Sequence, residues 1–326
     1  MRIITYSQPG AAEVLKLSEA PIPQPGAFDL LVKIKVAGLN RADIAQREGN
    51  YPPPAGHSPI LGLEIAGEVV ALGNRVRCWQ KGDRVFGLVN GGGYAEYGLL
   101  DHRLAIPLPE SWDYVQGAAV AEAFLTAYVT LFELGELRSK QTVLFHGGGS
   151  GVGTAVIQLA HYSKAIVYIT AGSSGKIERC LALGANAGIN YHTQDFIEII
   201  RQMTQGNGVD VIIDCVGQAY FPRNLLCLKP GGRLIQLAVM SGVQAELNLG
   251  QLLNRRWQIK GCSMRRLPLK DKRRITQRFI QRWLPLLQSG KVRPIIDRVF
   301  PFTQVQDAHR YMESSQHFGK IVLGWE

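Results

Sequence analysis

The pattern of hydrophobic and polar positions changes about a third of the way along the chain. Up to residue 110, short apolar runs alternate with glycine and proline, which is typical of a mostly β domain; the runs are 30–36, 65–70, 84–89 and 94–99. After a helical pattern over 118–134, strands and helices alternate, with strands predicted over 142–145, 165–170, 187–190, 209–214, 233–237 and 257–261. This second pattern is typical of an α/β, doubly wound parallel sheet.

The last part of the chain combines a basic amphipathic helix with two short strands. From about Lys272, one helical stripe is apolar and another is cationic; they are Ile275, Phe279 and Trp283 against Arg274, Arg278 and Arg282. The strands predicted over 294–299 and 319–324 need a sheet to pair with, and the N-terminal β domain offers one. We therefore expect a discontinuous first domain, residues 1–120 and 263–326, with a second domain of residues 121–262 inserted between its parts.

One glycine cluster carries the clearest chemistry. The apolar strand over 142–145 leads directly into a loop that reads Gly148-x-Ser150-x-x-Gly153 and opens a helical pattern. Glycines allow a tight turn and a close approach to phosphate, and the first N–H groups of the helix after Ser150 favour an anion. The spacing is not a full G-x-G-x-x-G, so the interpretation depends largely on the predicted strand before the loop and the predicted helix after it. The segment predicts a site for the pyrophosphate of a dinucleotide.

The choice of dinucleotide depends on an absent acid. In NAD-selective units a carboxylate at the end of the second strand binds the adenosine ribose. Here no Asp or Glu occurs between Glu136 and Glu178, whereas Ser173, Ser174 and Lys176 follow the strand. Hydroxyl groups and a cation can bind a 2′-phosphate, which a carboxylate would repel. The expected cofactor is NADPH, although a solvated lysine in a first helical turn is an ordinary finding.

Composition and charge set the remaining bounds. The 326 residues are 46% hydrophobic, no apolar run is long enough to span a bilayer, and the N-terminus lacks a signal-peptide core, so we expect a cytoplasmic enzyme. Five scattered cysteines suit a reducing compartment. The net charge of +10 is concentrated between Arg255 and Arg282. A solvated basic face is the ordinary explanation, and contact with RNA is the alternative.

Several motifs resemble the zinc-independent quinone oxidoreductase branch of the medium-chain dehydrogenase/reductase family, over nearly the whole chain. They are Gly38-Leu-Asn-Arg-Ala-Asp43, Tyr51-Pro-Pro-Pro54, the run over 60–69, Lys81-Gly-Asp-Arg-Val85, the run over 91–97 and the glycine loop over 145–153. The resemblance implies a Rossmann sheet inserted in a GroES-like catalytic domain. It also implies a homodimer, formed by pairing the strand at 256–261 across a two-fold axis.

The residues that bind zinc in other branches of that family are missing here. Where the zinc-dependent alcohol dehydrogenases have a cysteine and a Gly-His-Glu, this chain has Asn40-Arg41-Ala42 and Gly62-Leu63-Glu64. Leucine cannot ligate zinc, and no cysteine precedes Cys78. We therefore expect no metal at the site.

The resemblance also assigns roles to individual residues. It implies that Asn40 and Tyr51 border the substrate pocket and that Thr126 lies near the nicotinamide. The cofactor-binding residues that it implies are Ser150, Gly151 and Val152 at the pyrophosphate, and Gly172, Ser173, Lys176 and Tyr191 at the 2′-phosphate. Tyr51 can donate a proton to a carbonyl oxygen or simply pack as an aromatic lid. Glu64 and Glu122 are candidate proton donors, with a hydrogen-bonded core role as the alternative.

Together these expectations describe an NADPH-dependent quinone reductase that works without metal or flavin. The first alternative is reduction of the C=C bond of α,β-unsaturated aldehydes or ketones. A second alternative, of another class, is a dinucleotide-binding protein that associates with RNA through the basic segment.

Overall fold

The computed structural model describes residues 1–325, and the chain divides into two compact units. One unit is Met1–Leu125 with Arg265–Glu326, and the other is Thr126–Met264. The predicted boundaries lay at residues 120 and 262. No helix in the described part of the chain is both long and apolar enough to cross a membrane.

The first segment of the chain is mostly β. Its strands are β1 (Arg2–Thr5), β2 (Lys16–Glu19), β3 (Asp29–Leu39), β4 (Glu64–Leu72), β5 (Arg84–Leu88), β6 (Tyr97–Asp101) and β7 (Ile106–Pro107). Its helices are α1 (Arg41–Arg47), α2 (Tyr114–Ala118) and α3 (Ala121–Tyr128), the last of which runs past the boundary at Leu125. The predicted strand over 94–99 begins three residues late, because the Tyr94 N–H bonds to Leu61 O in a loop (2.9 Å).

The middle segment alternates strands and helices. After a π-helical stretch, Val129–Leu134, come β8 (Thr142–His146), α4 (Gly151–Tyr162), β9 (Ile166–Ala171), α5 (Ser174–Ala182), β10 (Ala187–Asn190), α6 (Phe196–Met203), β11 (Val209–Asp214), α7 (Phe221–Cys227), β12 (Leu228–Gln236), α8 (Leu249–Arg255) and β13 (Gln258–Gly261). All six strands are parallel, in the order β10-β9-β8-β11-β12-β13. From β8 the chain adds β9 and β10 on one side and then returns to add β11, β12 and β13 on the other side. This reversal of strand order beside β8 is the switch point of a doubly wound sheet.

The last segment completes the first unit. It contains α9 (Leu269–Gln288), β14 (Ile296–Pro301), α10 (Val305–Glu313) and β15 (Lys320–Gly324). Strand β15 pairs with β3, which gives the mixed sheet the order β14-β15-β3-β4-β5-β7, with β6 also on β3. The predicted fold class is confirmed: a doubly wound parallel sheet inserted in a mostly β domain.

Two apolar cores correspond to these sheets. In the first unit, β3, β4 and β15 contribute Val32, Ile65 and Leu323 to one buried cluster. In the middle unit, β8, β11 and β12 contribute Leu144, Ile212 and Leu234 to another. Each core is built by strands that are distant along the chain, and the loops of the candidate site follow the ends of these strands.

The single helix predicted over 118–134 is interrupted in the structure. The pattern over 118–134 indicated a single helix, but α2 ends at Ala118, α3 begins at Ala121, and the backbone is π-helical from Val129. Thr130 lies at this change of winding and donates its hydroxyl to Thr126 O (2.8 Å) and Ala127 O (3.2 Å). Such bonds from threonine to the preceding turn compete with regular helical bonding and often bend a helix.

Candidate active site

The carboxyl ends of β8, β9 and β10 meet at one edge of the parallel sheet. Because these strands are neighbours, the loops that follow them are also neighbours. They hold the seven expected cofactor-binding residues, which are Ser150, Gly151 and Val152 after β8, Gly172, Ser173 and Lys176 after β9, and Tyr191 after β10. The fold therefore brings these residues together although they span some forty positions of sequence.

The glycine loop prepares the start of α4 for an anion. Ser150 is the N-cap, and its Oγ accepts from the Gly153 N–H (3.0 Å) while donating to Gly147 O (2.8 Å). The N–H groups of Gly151 and Val152 have no hydrogen-bond acceptor within residues 1–325. Two free N–H groups at the positive end of a 12-residue helix form a site that fits a phosphate group.

Two glycines are required by close packing in this loop. A Cβ atom added at Gly153 would lie 2.5 Å from Gly147 O, and one added at Gly148 would lie 2.8 Å from the Cβ of Ile169. Gly147 itself has φ of +91°, a conformation that side chains disfavour. The loop shape therefore depends on glycine at these positions.

The end of β9 presents hydroxyl groups and a cation. Ser173 is the N-cap of α5, and its Oγ accepts from the Lys176 N–H at 3.4 Å. The Tyr191 side chain lies over Gly172, where an added Cβ would be 2.6 Å from the tyrosine Oη. Serine and tyrosine offer neutral hydroxyl groups, so Lys176 supplies the positive charge of this group.

A buried histidine holds the strand ends in place. His146 Nε2 bonds to Asn224 Oδ1 (2.7 Å) and Nδ1 to Thr170 Oγ1 (3.1 Å). Since an amide oxygen only accepts, Nε2 carries the proton and Nδ1 accepts from threonine. Burial lowers the pKa of His146, which agrees with a neutral ring. This bonding agrees with a structural role and places no metal or substrate at this histidine.

The expected substrate-side residue Asn40 is part of a buried ion-pair cluster. Lys320 Nζ donates to Glu64 Oε1 (2.6 Å) and to Asn40 Oδ1 (2.7 Å), and Asn40 Nδ2 donates to the same Glu64 oxygen (2.9 Å). The other oxygen of Glu64 accepts from the Glu122 N–H (2.8 Å). The Asn40 amide thus bonds to a charged group at each end, the Glu64 carboxylate at Nδ2 and the Lys320 ammonium at Oδ1. Glu64 forms an ion pair with Lys320.

A second buried chain of hydrogen bonds supports the backbone at Asn40. Asp43 accepts from the Asn40 N–H (2.8 Å) and the Gly62 N–H (3.0 Å), and Tyr94 Oη donates to it at 3.5 Å. Arg47 donates to His309 Nδ1 (3.2 Å), so the proton lies on Nε2, which donates to Tyr94 Oη (3.2 Å). Burial raises the pKa of Asp43 to about 6 and, with Arg47 nearby, lowers that of His309 to about 3.

Tyr51 packs against a buried arginine. The Arg265 guanidinium carbon lies 5.5 Å from the centre of the Tyr51 ring, and Arg265 Nη1 donates to Gln46 Oε1 (2.7 Å). Lys272 donates to Asn90 Oδ1 (3.0 Å) and to Arg265 O (3.1 Å). These two cations are buried and are exceptions to the solvated basic face expected for this segment, of which Arg278 and Arg282 are exposed.

Glu122 and Thr126 lie one turn apart on α3. Burial, and next the neighbouring charge of Glu64, raise the pKa of Glu122 to about 8, so its carboxyl is largely protonated at neutral pH. The Thr126 side chain is buried, and its carbonyl accepts from Thr130. A protonated acid is a possible proton source, whereas the contacts of Thr126 show only how its backbone is held.

Sequence reasoning missed Lys320 as a site residue. It is 280 positions from Asn40 along the chain, and only the pairing of β15 with β3 brings the two together. For Lys272 a signal existed, since it falls on the same helical face as Ile275, Thr276 and Phe279. A cation on the buried face of an amphipathic helix is uncommon and indicates a partner or a function.

A zinc ion does not fit these residues. Within residues 1–325 no three His, Cys, Asp or Glu side chains are grouped so that they could hold a metal. Glu64 is paired with the Lys320 ammonium, and its neighbour Leu63 is buried and apolar. The charge that a metal would supply at Glu64 is thus supplied by lysine.

The parallel sheet and the helix start that fits a phosphate group indicate a dinucleotide-binding domain, and comparison with known proteins identifies the family. Residues 26–110 match the alcohol dehydrogenase GroES-like domain, and residues 183–323 match the zinc-binding dehydrogenase model. Quinone oxidoreductase of Lama guanicoe is 33% identical, over 99% of this chain and 97% of that one. The chain belongs to the medium-chain dehydrogenase/reductase family, as its motifs indicated, and groups with its quinone oxidoreductases.

Two solved structures are similar over the whole chain. Escherichia coli quinone oxidoreductase complexed with NADPH has a TM-score of 0.92 and 29% identity, covering 99% of this chain and all of that one. CurK enoyl reductase has a TM-score of 0.88 and 26% identity, covering 100% and 99%. The first is an oxidoreductase by name and holds NADPH, and the second is a reductase by name.

Proposed function

We propose that this protein is an NADPH-dependent quinone reductase that needs neither metal nor flavin. The observation that carries the proposal is the anion site at the start of α4, together with a β9 end that has a lysine and no carboxylate. Similarity to the quinone oxidoreductases, one of them an NADPH complex, supports both the cofactor and the reaction class.

The chain's own residues would divide the work as follows. The N–H groups of Gly151 and Val152 bind the pyrophosphate, with Ser150 fixing the loop. Ser173 and Lys176 bind the 2′-phosphate, while Gly172 lets the Tyr191 ring lie close to it. Bound NADPH supplies the hydride. Thr126 lies near the nicotinamide, Asn40 borders the acceptor, and the Tyr51 hydroxyl donates to the acceptor oxygen as negative charge develops there.

A quinone makes modest demands on such a site. Transfer of a hydride and a proton yields an aromatic hydroquinone, so the ring system itself supplies much of the driving force, and water can provide the proton. The protein then mainly orients the acceptor and excludes solvent. This agrees with a site in which Asn40 and Glu64 are already occupied by Lys320.

The experiment that tests the proposal compares two acceptors. Purified protein is mixed with NADPH and either 1,4-naphthoquinone or a simple alkenal, and loss of NADPH absorbance is followed. We expect turnover with the naphthoquinone and little with the alkenal. The reverse preference would favour reduction of C=C bonds, for which the similarity to an enoyl reductase is the supporting observation. Turnover of neither acceptor, with steeply salt-dependent binding of single-stranded RNA, would instead favour the RNA-associated alternative.

Lys176→Ala should separate the two nicotinamide cofactors. If Lys176 makes a charge-assisted hydrogen bond to the 2′-phosphate, its loss should weaken NADPH binding by about 1.5–3 kcal/mol and leave NADH binding unchanged. Isothermal titration with each cofactor measures the difference. Lys164→Ala, a change at an exposed lysine before β9, serves as the control. Equal losses for both cofactors would contradict this role for Lys176.

Dimerisation is predicted to occur through the edge strand β13. Strand β13 is an edge of the parallel sheet, and exposed apolar side chains occur on it and in the chain segment that leads into it; they are Val243, Leu249, Leu253 and Ile259. An exposed strand edge beside apolar side chains favours pairing with a second copy. We expect sedimentation of the wild-type protein as a dimer and of Ile259→Lys as a monomer. A monomeric wild-type protein would contradict the prediction.

A further inference from the structure

Arg265 and Lys272 are two neighbouring buried cations without a counter-ion. Their exposed fractions are 5% and 6%, and the Lys272 ammonium donates to the Arg265 carbonyl (3.1 Å). Neither forms an ion pair with a carboxylate anywhere in residues 1–325. Burying unpaired charge costs several kcal/mol for each ion, so the arrangement calls for a compensating group.

Other buried cations of this unit are compensated. Lys320 is paired with Glu64, and Arg47 is paired with Glu313. The unpaired state of Arg265 and Lys272 is therefore not a general property of the unit. Burial is the main cause that lowers the pKa of both side chains. The nearby Glu122 carboxyl opposes this shift in both, but it is itself largely protonated at neutral pH and forms no ion pair with either cation.

One edge of the buried Arg265 guanidinium has no hydrogen-bond partner. Nη1 is used by Gln46, whereas Nε and Nη2 have no hydrogen-bond partner. These two N–H groups lie on one edge of the planar group, and such an edge binds the two oxygens of a carboxylate side by side. Lys272 uses two of its three N–H donors on neutral oxygens and adds a second positive charge.

We propose that Arg265 and Lys272 bind an ionised carboxylate of the acceptor, so that the enzyme selects acidic quinones or enones over neutral ones. This inference rests on the proposed function. Nε and Nη2 are shielded from solvent, and the Tyr51 ring, itself partly exposed, packs over the guanidinium. Tyr51 lies between α1 and β4 in a stretch without helix or strand. Access of the carboxylate to Nε and Nη2 therefore requires this ring to shift.

The test uses two acceptors that differ only in charge. They are a 1,4-naphthoquinone with a propionate side chain and its methyl ester, whose rings have closely similar reduction potentials because the carboxylate is remote from them. With wild-type protein we expect a KM for the acid at least about tenfold lower than for the ester, the scale of one charged hydrogen bond. Arg265→Met should raise KM for the acid at least about tenfold more than it raises KM for the ester. Arg278→Met, at an exposed arginine of α9, is the matched control.

A binding arm separates this inference from the proposed function. Quenching of tryptophan fluorescence by 2-naphthalenepropionate requires no turnover, and Arg265→Met should weaken it at least about tenfold. If the wild-type protein reduces neither quinone but binds this carboxylate through Arg265, the proposed function fails and the inference stands. Equal KM values for acid and ester, or equal losses for both in Arg265→Met, overturn the inference. Should Arg265→Met not fold, Lys272→Met is used, with the same outcomes.

Discussion

Lys320→Met is expected to lower the free energy of unfolding by about 3–5 kcal/mol. Methionine has a similar length but no charge, so the variant leaves the Glu64 carboxylate buried without its cation. The two hydrogen bonds that remain on Glu64, from Asn40 Nδ2 and from the Glu122 N–H, are between an ion and neutral donors. They cannot replace the Lys320 ammonium at 2.6 Å. In the same variant, Asn40 Oδ1 loses the hydrogen bond that it accepts from Lys320.

Urea denaturation followed by circular dichroism measures this loss of unfolding free energy. Two further variants test whether it arises from the unpaired charge. Lys320→Met combined with Glu64→Gln removes both charges and should recover a large part of the stability. Arg223→Met breaks an exposed ion pair of similar length with Asp195 (2.9 Å) and should cost less than about 1 kcal/mol. If Lys320→Met costs no more than Arg223→Met, the buried pair does not stabilise the protein as argued.

The fold followed closely from local patterns in the sequence. Alternating and continuous apolar runs were enough for β3, β8 and β11, and the glycine loop was found because strand, loop and helix are contiguous. The prediction over 118–134 was wrong because hydrophobic periodicity does not register a change from α- to π-helical winding, such as the one at Val129, beside which the Thr130 hydroxyl donates to Thr126 O and Ala127 O. The continuation of β12 back to Leu228 was missed for another reason, since Pro230 and two glycines interrupt its apolar run.

The candidate site divides into a part that sequence could predict and a part that it could not. The cofactor side lies on three successive strand ends, so chain order and parallel topology are sufficient to bring Ser150, Ser173 and Tyr191 together. The residues proposed for the acceptor side come together across long separations in sequence, as in the hydrogen bonds of Lys320 to Asn40 and of Arg265 to Gln46. Net charge alone also concealed that Arg265 is buried, because a count of cations contains no information on solvent exposure.

Gly153→Ala is expected to weaken NADPH binding by at least about 100-fold, close to 3 kcal/mol. The added Cβ would lie 2.5 Å from Gly147 O and 2.6 Å from Gly148 O, both of them backbone atoms that cannot rotate away. The loop must shift, and with it the Ser150 hydroxyl that bonds to the Gly153 N–H and to Gly147 O. The free N–H groups of Gly151 and Val152, which are proposed to bind the pyrophosphate, would then no longer converge on one point.

Because NADPH and NADH share the pyrophosphate, Gly153→Ala should weaken both cofactors alike, in contrast to Lys176→Ala. Isothermal titration of each cofactor measures the effect, and a thermal melt establishes that the variant is folded. Gly261→Ala is the matched control, since a Cβ at that position meets no atom within 4 Å. A folded Gly153→Ala protein that binds NADPH as tightly as Gly261→Ala would show that the start of α4 does not hold the pyrophosphate, and the assignment of Ser150, Gly151 and Val152 would fail with it.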